Sequence, residues 1–435
     1  MKKKLLTVLI GASLVGVAAP AFAITDEEGN ASIQFAFVPP GARSLGMGGA
    51  FVGRADDATA AYTNPAGLTQ LRAFEIGIEG RRVGYESAFV SGGTFRANPI
   101  DLTGLEYGSA DDDVNSLAYL SVVWPHDRWS IAFYRHELVK YNTSFALLDN
   151  NVAPTDANIG ALLPFGAAID IDIVNYGLSG AFEFSDSFSV GASLIYSDFE
   201  LASATVRPTA AVPFGSSQIG DDDDIAFNIG ALWKFADRWS LGLVYRDGPE
   251  FDAEARLFGL DAAGNPSGSA TGFPKPTSFN APSVFGLGVS FQPTEAWVIT
   301  FDANRVYYSD LTDDLNSGFR ASETADRQSI EPLGIDDGTE LRLGAEYTFL
   351  ESSNLWALRG GVWRDPEHTI RFEGQPDVNP QSNALSNAVL FSTGDDEIHY
   401  TFGVGALFGK FQLDAAVDMS DAVDIFSISG VVRFD

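Results

Sequence analysis

The chain has 435 residues, 45% of them hydrophobic, with 58 acidic against 27 basic side chains and a formal net charge of −31. That excess repels nucleic-acid phosphates and excludes nucleic-acid binding, while 33 Phe and 44 Gly in an apolar chain exclude disorder. No Cys occurs, which removes disulfides, thiolate metal centres and cysteine nucleophiles.

Residues 1–23 read as an export signal, with Lys2, Lys3 and Lys4 ahead of an apolar run from Leu5 to Ala19 and Ala21-Phe22-Ala23 as the cleavage site. Cleavage predicts a mature chain starting at Ile24 and carrying −34, because three lysines and no acid are lost. Beyond this segment no stretch approaches the ~20 apolar residues of a membrane helix. An exported chain of this kind enters a membrane only as a barrel.

Residues 24–72 do not alternate and are rich in small side chains, which suits compact turns and short helices packed inside something. Gly46-Met47-Gly48-Gly49 has the start of a dinucleotide fingerprint, but Phe51 occupies the third glycine position and no buried strand precedes it, so no cofactor is expected.

From residue 73 the period changes to two. In Leu341 to Phe349 every odd position is apolar or aromatic and every even one is polar or Gly, and the pattern recurs over 398–408 and 411–419. Strands are predicted near 73–82, 116–125, 128–139, 171–184, 187–201, 224–235, 238–257, 281–292, 296–308, 339–350, 355–365, 397–408, 410–419 and 423–434. Fourteen is an even number, and the connections alternate between tight turns and long polar stretches near 83–115, 140–170, 202–223, 258–280, 309–338 and 366–396. This asymmetry predicts an all-β fold, a 14-stranded antiparallel transmembrane β-barrel of an outer membrane, with its short turns periplasmic. Trp124, Trp129, Tyr134, Trp233, Trp239, Trp297, Tyr307, Trp356 and Trp363 fall near predicted strand ends, where aromatic girdles sit.

Catalytic and metal signatures are missing from the sequence. His126, His136, His368 and His399 are dispersed, with no His-Glu-x-x-His and no Gly-x-Ser-x-Gly, so no enzyme is expected and His136 is assigned to cap the third strand. The acidic runs Asp111–Asp113 and Asp221–Asp224 lack the spacing of an EF-hand loop and read as solvated loop tips, with no metal. The stretch 141–170 carries an apolar cluster that is unusual for a surface loop: Phe145, Leu147, Leu148, Leu162, Leu163 and Phe165, joined by Phe214 from the next loop. These are the candidate substrate-docking residues.

Asn64-Pro65-Ala66-Gly67-Leu68, preceded by the glycine-rich turn with Gly46, Gly48 and Gly49 and by Ala55-Asp56-Asp57-Ala58, resembles the N-terminal hatch of the FadL-like long-chain fatty acid transporters. The likeness continues through Trp239 to Arg246 and from Ala281 to Trp297. It implies a hatch over 24–72 inside the lumen of a barrel over 73–435. It also implies a monomeric outer-membrane channel, surrounded by lipid and lipopolysaccharide, that passes long-chain fatty acids or hydrocarbons from outer loops to an apolar pocket and out through a gap in the wall. A carboxylate headgroup would need a cation, with Arg43, Arg54, Arg72, Arg81, Arg82 and Lys140 as candidates; a net charge of −34 keeps neutral substrates in contention. The same hatch motif also occurs in PorV-like barrels, which implies the alternative of a secretion-system scaffold for exported proteins.

Overall fold

The computed structural model describes residues 37–434 other than 98–99, 148–158, 162–164, 208–212, 262–263, 270–272, 313–332, 352–353 and 373–393. Fourteen antiparallel strands close into one barrel: β1 (Phe74–Ala97), β2 (Leu105–Pro125), β3 (Trp129–Leu147), β4 (Phe165–Ser185), β5 (Phe188–Arg207), β6 (Phe214–Ala236), β7 (Trp239–Arg246, then Glu250–Leu260), β8 (Lys275–Asn280, then Val284–Phe291), β9 (Trp297–Val306), β10 (Gly338–Phe349), β11 (Leu355–Asp365), β12 (Glu397–Phe408), β13 (Phe411–Met419) and β14 (Val423–Phe434). The ring is sealed by β1 against β14, in register from Phe74 opposite Phe434 to Tyr85 opposite Val423.

Alternation sets what each face touches. Phe133, Leu178, Leu194, Ile229, Leu287, Phe301, Leu343, Phe402 and Ile428 are among the large apolar side chains exposed on the outer face. Their neighbours in sequence are small or polar and buried in the lumen, as with Ser179, Ser193, Asn228, Asp302, Arg342 and Ser427. In a membrane this inverts the soluble rule, because the exposed apolar face meets lipid tails and the buried polar face satisfies itself inside.

Six of the seven tryptophans, Trp124, Trp129, Trp233, Trp239, Trp297 and Trp356, project outward beside the tight turns, which places one aromatic girdle at the periplasmic edge. Trp363 and Tyr134 depart from the girdle expectation, since both are buried in the lumen. The strands of the first half are longer than their apolar patterns indicate. The stretch 83–115, expected as a loop, is mostly the paired upper halves of β1 and β2, and both acidic runs lie in strands rather than at loop tips. Above the lipid belt a strand has no apolar face to show, so the period-two signal vanishes while the ladder continues. His136 sits within β3, not at its end, with its ring 4.1 Å from that of Tyr62.

Candidate functional site: the lumen and its two wall gaps

Residues 37–72 fill the lower lumen as two one-turn helices, α1 (Ala42–Leu45) and α2 (Ala60–Thr63), and a 3₁₀ turn, Pro65–Gln70. Asn64 starts the 3₁₀ turn. Its side-chain oxygen accepts from Ala66 N at 3.2 Å, and Pro65 supplies a pre-set φ at the first position. The Asn64 amide also donates to Val52 O at 3.0 Å and to Ala231 O of β6 at 3.2 Å, so one side chain ties the turn to its own segment and to the wall. Gly48 and Gly49 have φ of 66° and 70°, a left-handed turn that few other residues take without strain.

The wall meets this segment through glycines. A methyl carbon built on Gly191, Gly230, Gly242, Gly288, Gly344 or Gly361 would overlap backbone or side-chain atoms of residues 47–66 or the wall's own Asp302, so backbone lies directly on backbone around much of the ring. Hydrogen bonds fasten the contact: Gly41 N to Glu79 at 2.7 Å, Gly48 N to Thr401 at 2.9 Å, and Phe51 N and Val52 N to the same oxygen of Asp302 at 2.7 and 2.8 Å. Beneath them runs a buried ionic chain. Arg43 reaches Asp56 at 2.6 Å and Glu346 of β10 at 2.9 Å, Arg54 reaches Asp56 at 2.6 Å, and Arg359 joins Glu346 to Asp414. Burial opposes the Asp56 charge, yet Arg43 and then Arg54 hold its carboxyl below the usual carboxylate range; burial pushes Asp57 up.

Above the segment lie two narrow voids that share Phe37 and Leu138. Each abuts a place where neighbouring strands part. β2 and β3 pair only from Tyr119 opposite His136 to Pro125 opposite Ser130, although both continue far above, and β3 bulges between Glu137 and Val139. The void there is lined by Val83, Val114, Ala118, Leu138 and Val139 with Arg81, Glu137 and Lys140. Higher up, β3 leans across the lumen onto β1: the Tyr85 and Tyr141 rings are 4.8 Å apart, and Phe89 stacks on Phe145 at 5.2 Å. The second void is lined by Tyr62, Asn175, Ile195, Ala226, Asn228 and Arg246 and reaches the break in β7 at Asp247–Pro249.

Of the expected docking residues, Phe145 stacks as just described, Leu147 and Phe165 form the last pair of the β3–β4 ladder, and Phe214 opens β6, half-buried opposite Gly259. Leu148, Leu162 and Leu163 lie outside the described residues. A three-residue strand, Ile159–Ala161, pairs with Thr94–Arg96 of β1.

The expected headgroup cations are all engaged: Arg43 and Arg54 with Asp56, Arg81 with Glu79, Lys140 with Asp172, Arg82 with Asp113 outside, and Arg72 facing Glu183 at 3.6 Å. Arg246, which sequence reasoning missed, is buried on the second void. Its Nη1 donates to Thr63 O at 3.1 Å and its guanidinium lies 5.7 Å from the Tyr62 ring centre, and among the described residues no carboxylate pairs with it. A lone inward Arg in a strand that otherwise alternates Leu, Val and Tyr was the available signal.

These features define a class: a fourteen-strand outer-membrane barrel whose lumen holds its own N-terminal segment. The chain belongs to the family described as outer membrane protein transport protein (OMPP1/FadL/TodX), which matches residues 156–377. Its fold resembles that of a Pseudomonas aeruginosa FadL homologue, with 15% identity, 92% of this chain and 100% of that chain covered and a TM-score of 0.63. The Ralstonia pickettii toluene transporter TbuX gives 15%, 92% and 100% with a TM-score of 0.58, and the P. putida toluene transporter TodX gives 15%, 92% and 99% with the same score. No curated protein sequence matches the chain.

Proposed function

We propose that the protein is a passive channel for hydrophobic small molecules, in which residues 37–72 act as a hatch that blocks straight passage and the parting of β2 from β3 is the sideways exit. The observation that carries this reading is the void above the hatch, bounded by the edges of that parting and by apolar side chains at the level of the outer lipid belt. A long-chain tail gains roughly 0.8 kcal/mol per buried CH₂, so a descending series of apolar contacts is enough to draw it in without covalent chemistry. Membership of a transport family and likeness to a FadL homologue and to a toluene transporter support the same class. Arg246, beside the hatch and with no carboxylate partner among the described residues, offers a cation to an acid headgroup.

Cells that carry the protein are expected to take up radiolabelled palmitate or hexadecane faster than cells that lack it, at equal surface abundance of other barrels. Equal uptake of both probes would rule the channel out.

Phe37 borders both voids and stands 6.4 Å from the Tyr308 ring. Phe37→Ala is expected to join the voids and raise uptake at limiting substrate, while leaving barrel assembly intact because the residue lies outside every barrel strand. Unchanged uptake would show that Phe37 does not separate the two spaces.

A further inference from the structure

The barrel has a second interruption, between β6 and β7. Their ladder stops at Asn228 opposite Arg246 and resumes only at Gly220 opposite Ala253. Across the intervening stretch the two edges are held by Asp247 N to Phe227 O at 2.9 Å and by two aspartate side chains. Asp224 accepts from Glu250 N at 3.0 Å, and Asp222 accepts from Asp252 N at 2.7 Å. Pro249 and Pro282 remove backbone donors at the same level, and β8 is itself broken there, between Asn280 and Val284. An edge held by carboxylate side chains opens at lower cost than a ladder, since each such bond can be exchanged for water without unwinding a strand.

Both sides of the seam reach the lumen and the lipid. The void beside Arg246 is lined by Ala226 and Asn228 from one edge and by Asp247, Gly248 and Pro249 from the other. On the outer face Ile225 and Phe227 are 56% and 42% exposed, whereas Asp221 and Asp223 just above them are exposed carboxylates. The seam therefore straddles the upper boundary of the apolar belt. Its balance of charge differs from that of the β2–β3 parting: Asp222, Asp224, Asp247 and Asp252 border the seam with Arg246 at its lower end, while Arg81 and Lys140 border the other together with Glu137 and Asp112. Along the aspartate-lined stretch above Arg246 a carboxylate headgroup is repelled and an uncharged molecule is not.

We propose that the β6–β7 seam is a second lateral portal, through which uncharged hydrophobic molecules exchange between the lumenal void and the outer leaflet. It rests on the channel reading above and adds a route selective for neutral substrates. The absence of native cysteine makes the test direct: Asp224→Cys with Glu250→Cys staples the seam when oxidised, and Phe227→Cys with Asp247→Cys is a second staple at its lower end. Uptake of labelled hexadecane and of labelled palmitate is measured on cells carrying each variant, oxidised and then reduced, with cross-link formation checked by mass spectrometry. Hexadecane uptake is expected to fall severalfold on oxidation and recover on reduction, while palmitate uptake stays within a factor of two. Equal hexadecane uptake in the verified oxidised and reduced forms would overturn the portal and leave the channel reading standing. If neither probe enters faster than in cells lacking the protein, even in the reduced state, the channel reading falls and the portal with it.

Discussion

Replacing Arg43 by Met is expected to loosen the hatch and raise single-channel conductance in planar bilayers, with a matching rise in cell permeability to large antibiotics. The guanidinium is almost wholly buried and reaches Asp56, Asp57 and Glu346 at once. Removing it leaves Arg54 and Arg359 to face Asp56, Asp57, Glu346 and Asp414, and breaking a buried pair from one side typically costs about 3 to 5 kcal/mol. Adding Glu346→Gln should recover part of the loss, because one uncompensated charge goes with it. Acid should act in the same direction. The folded-state pKa of Asp56 is depressed, so its contribution is complete at neutral pH and is lost as pH falls below the unfolded value of about 3.9 and through the folded one. Conductance of Arg43→Met indistinguishable from the parent at neutral pH would mean that the glycine contacts alone hold the hatch.

Gly344→Val is expected to have an equally large effect by a different route. Its added Cβ would overlap Met47 O, and a backbone atom cannot swing aside as a side-chain tip can. Overpacking ordinarily costs about 1 to 3 kcal/mol where side chains can adjust, and here the hatch must move as a body. Gly180→Val is the control, because a Cβ at that position meets nothing within 4 Å. Heat-modifiable gel mobility should show both variants as assembled barrels, with conductance raised only in Gly344→Val. A Gly344→Val barrel with parental conductance would show that the hatch backbone does not press on β10.

The second half of the barrel was legible from alternation alone, because β9 to β14 are short and most of their outward residues are apolar: Leu341, Leu343, Tyr347 and Phe349 on β10 are outward in the structure as in the pattern. The upper parts of β1 to β6 were not legible, since Asp111–Asp113 and Asp221–Asp224 are strand residues whose sides face water or the lumen. Asp222 and Asp224 illustrate why. Their pairing partners are the backbone of a neighbour 26 to 30 residues away, and nothing in local composition announces a side chain that substitutes for a ladder bond. Arg246 was overlooked for a related reason: a single inward cation looks like any strand residue until the surrounding carboxylates have been assigned to other partners.

The unequal strand lengths have a mechanical consequence. β1 has 24 residues against 12 in β14; at ~3.3 Å per residue and a tilt of ~45° that is roughly 55 Å of height against roughly 28 Å, with an apolar band of ~25 Å to cross. Both interruptions lie where the wall is tall, and each is bridged overhead. Asp112 of β2 accepts from Ser144 N of β3 above the first parting, and β6 rejoins β7 from Gly220 to Phe214. They are windows under lintels rather than slits running to the rim. A slit would invite the barrel to unzip from its edge, whereas a framed window keeps its width when the lipid around it thins or thickens, so leakiness and stability are set by separate residues.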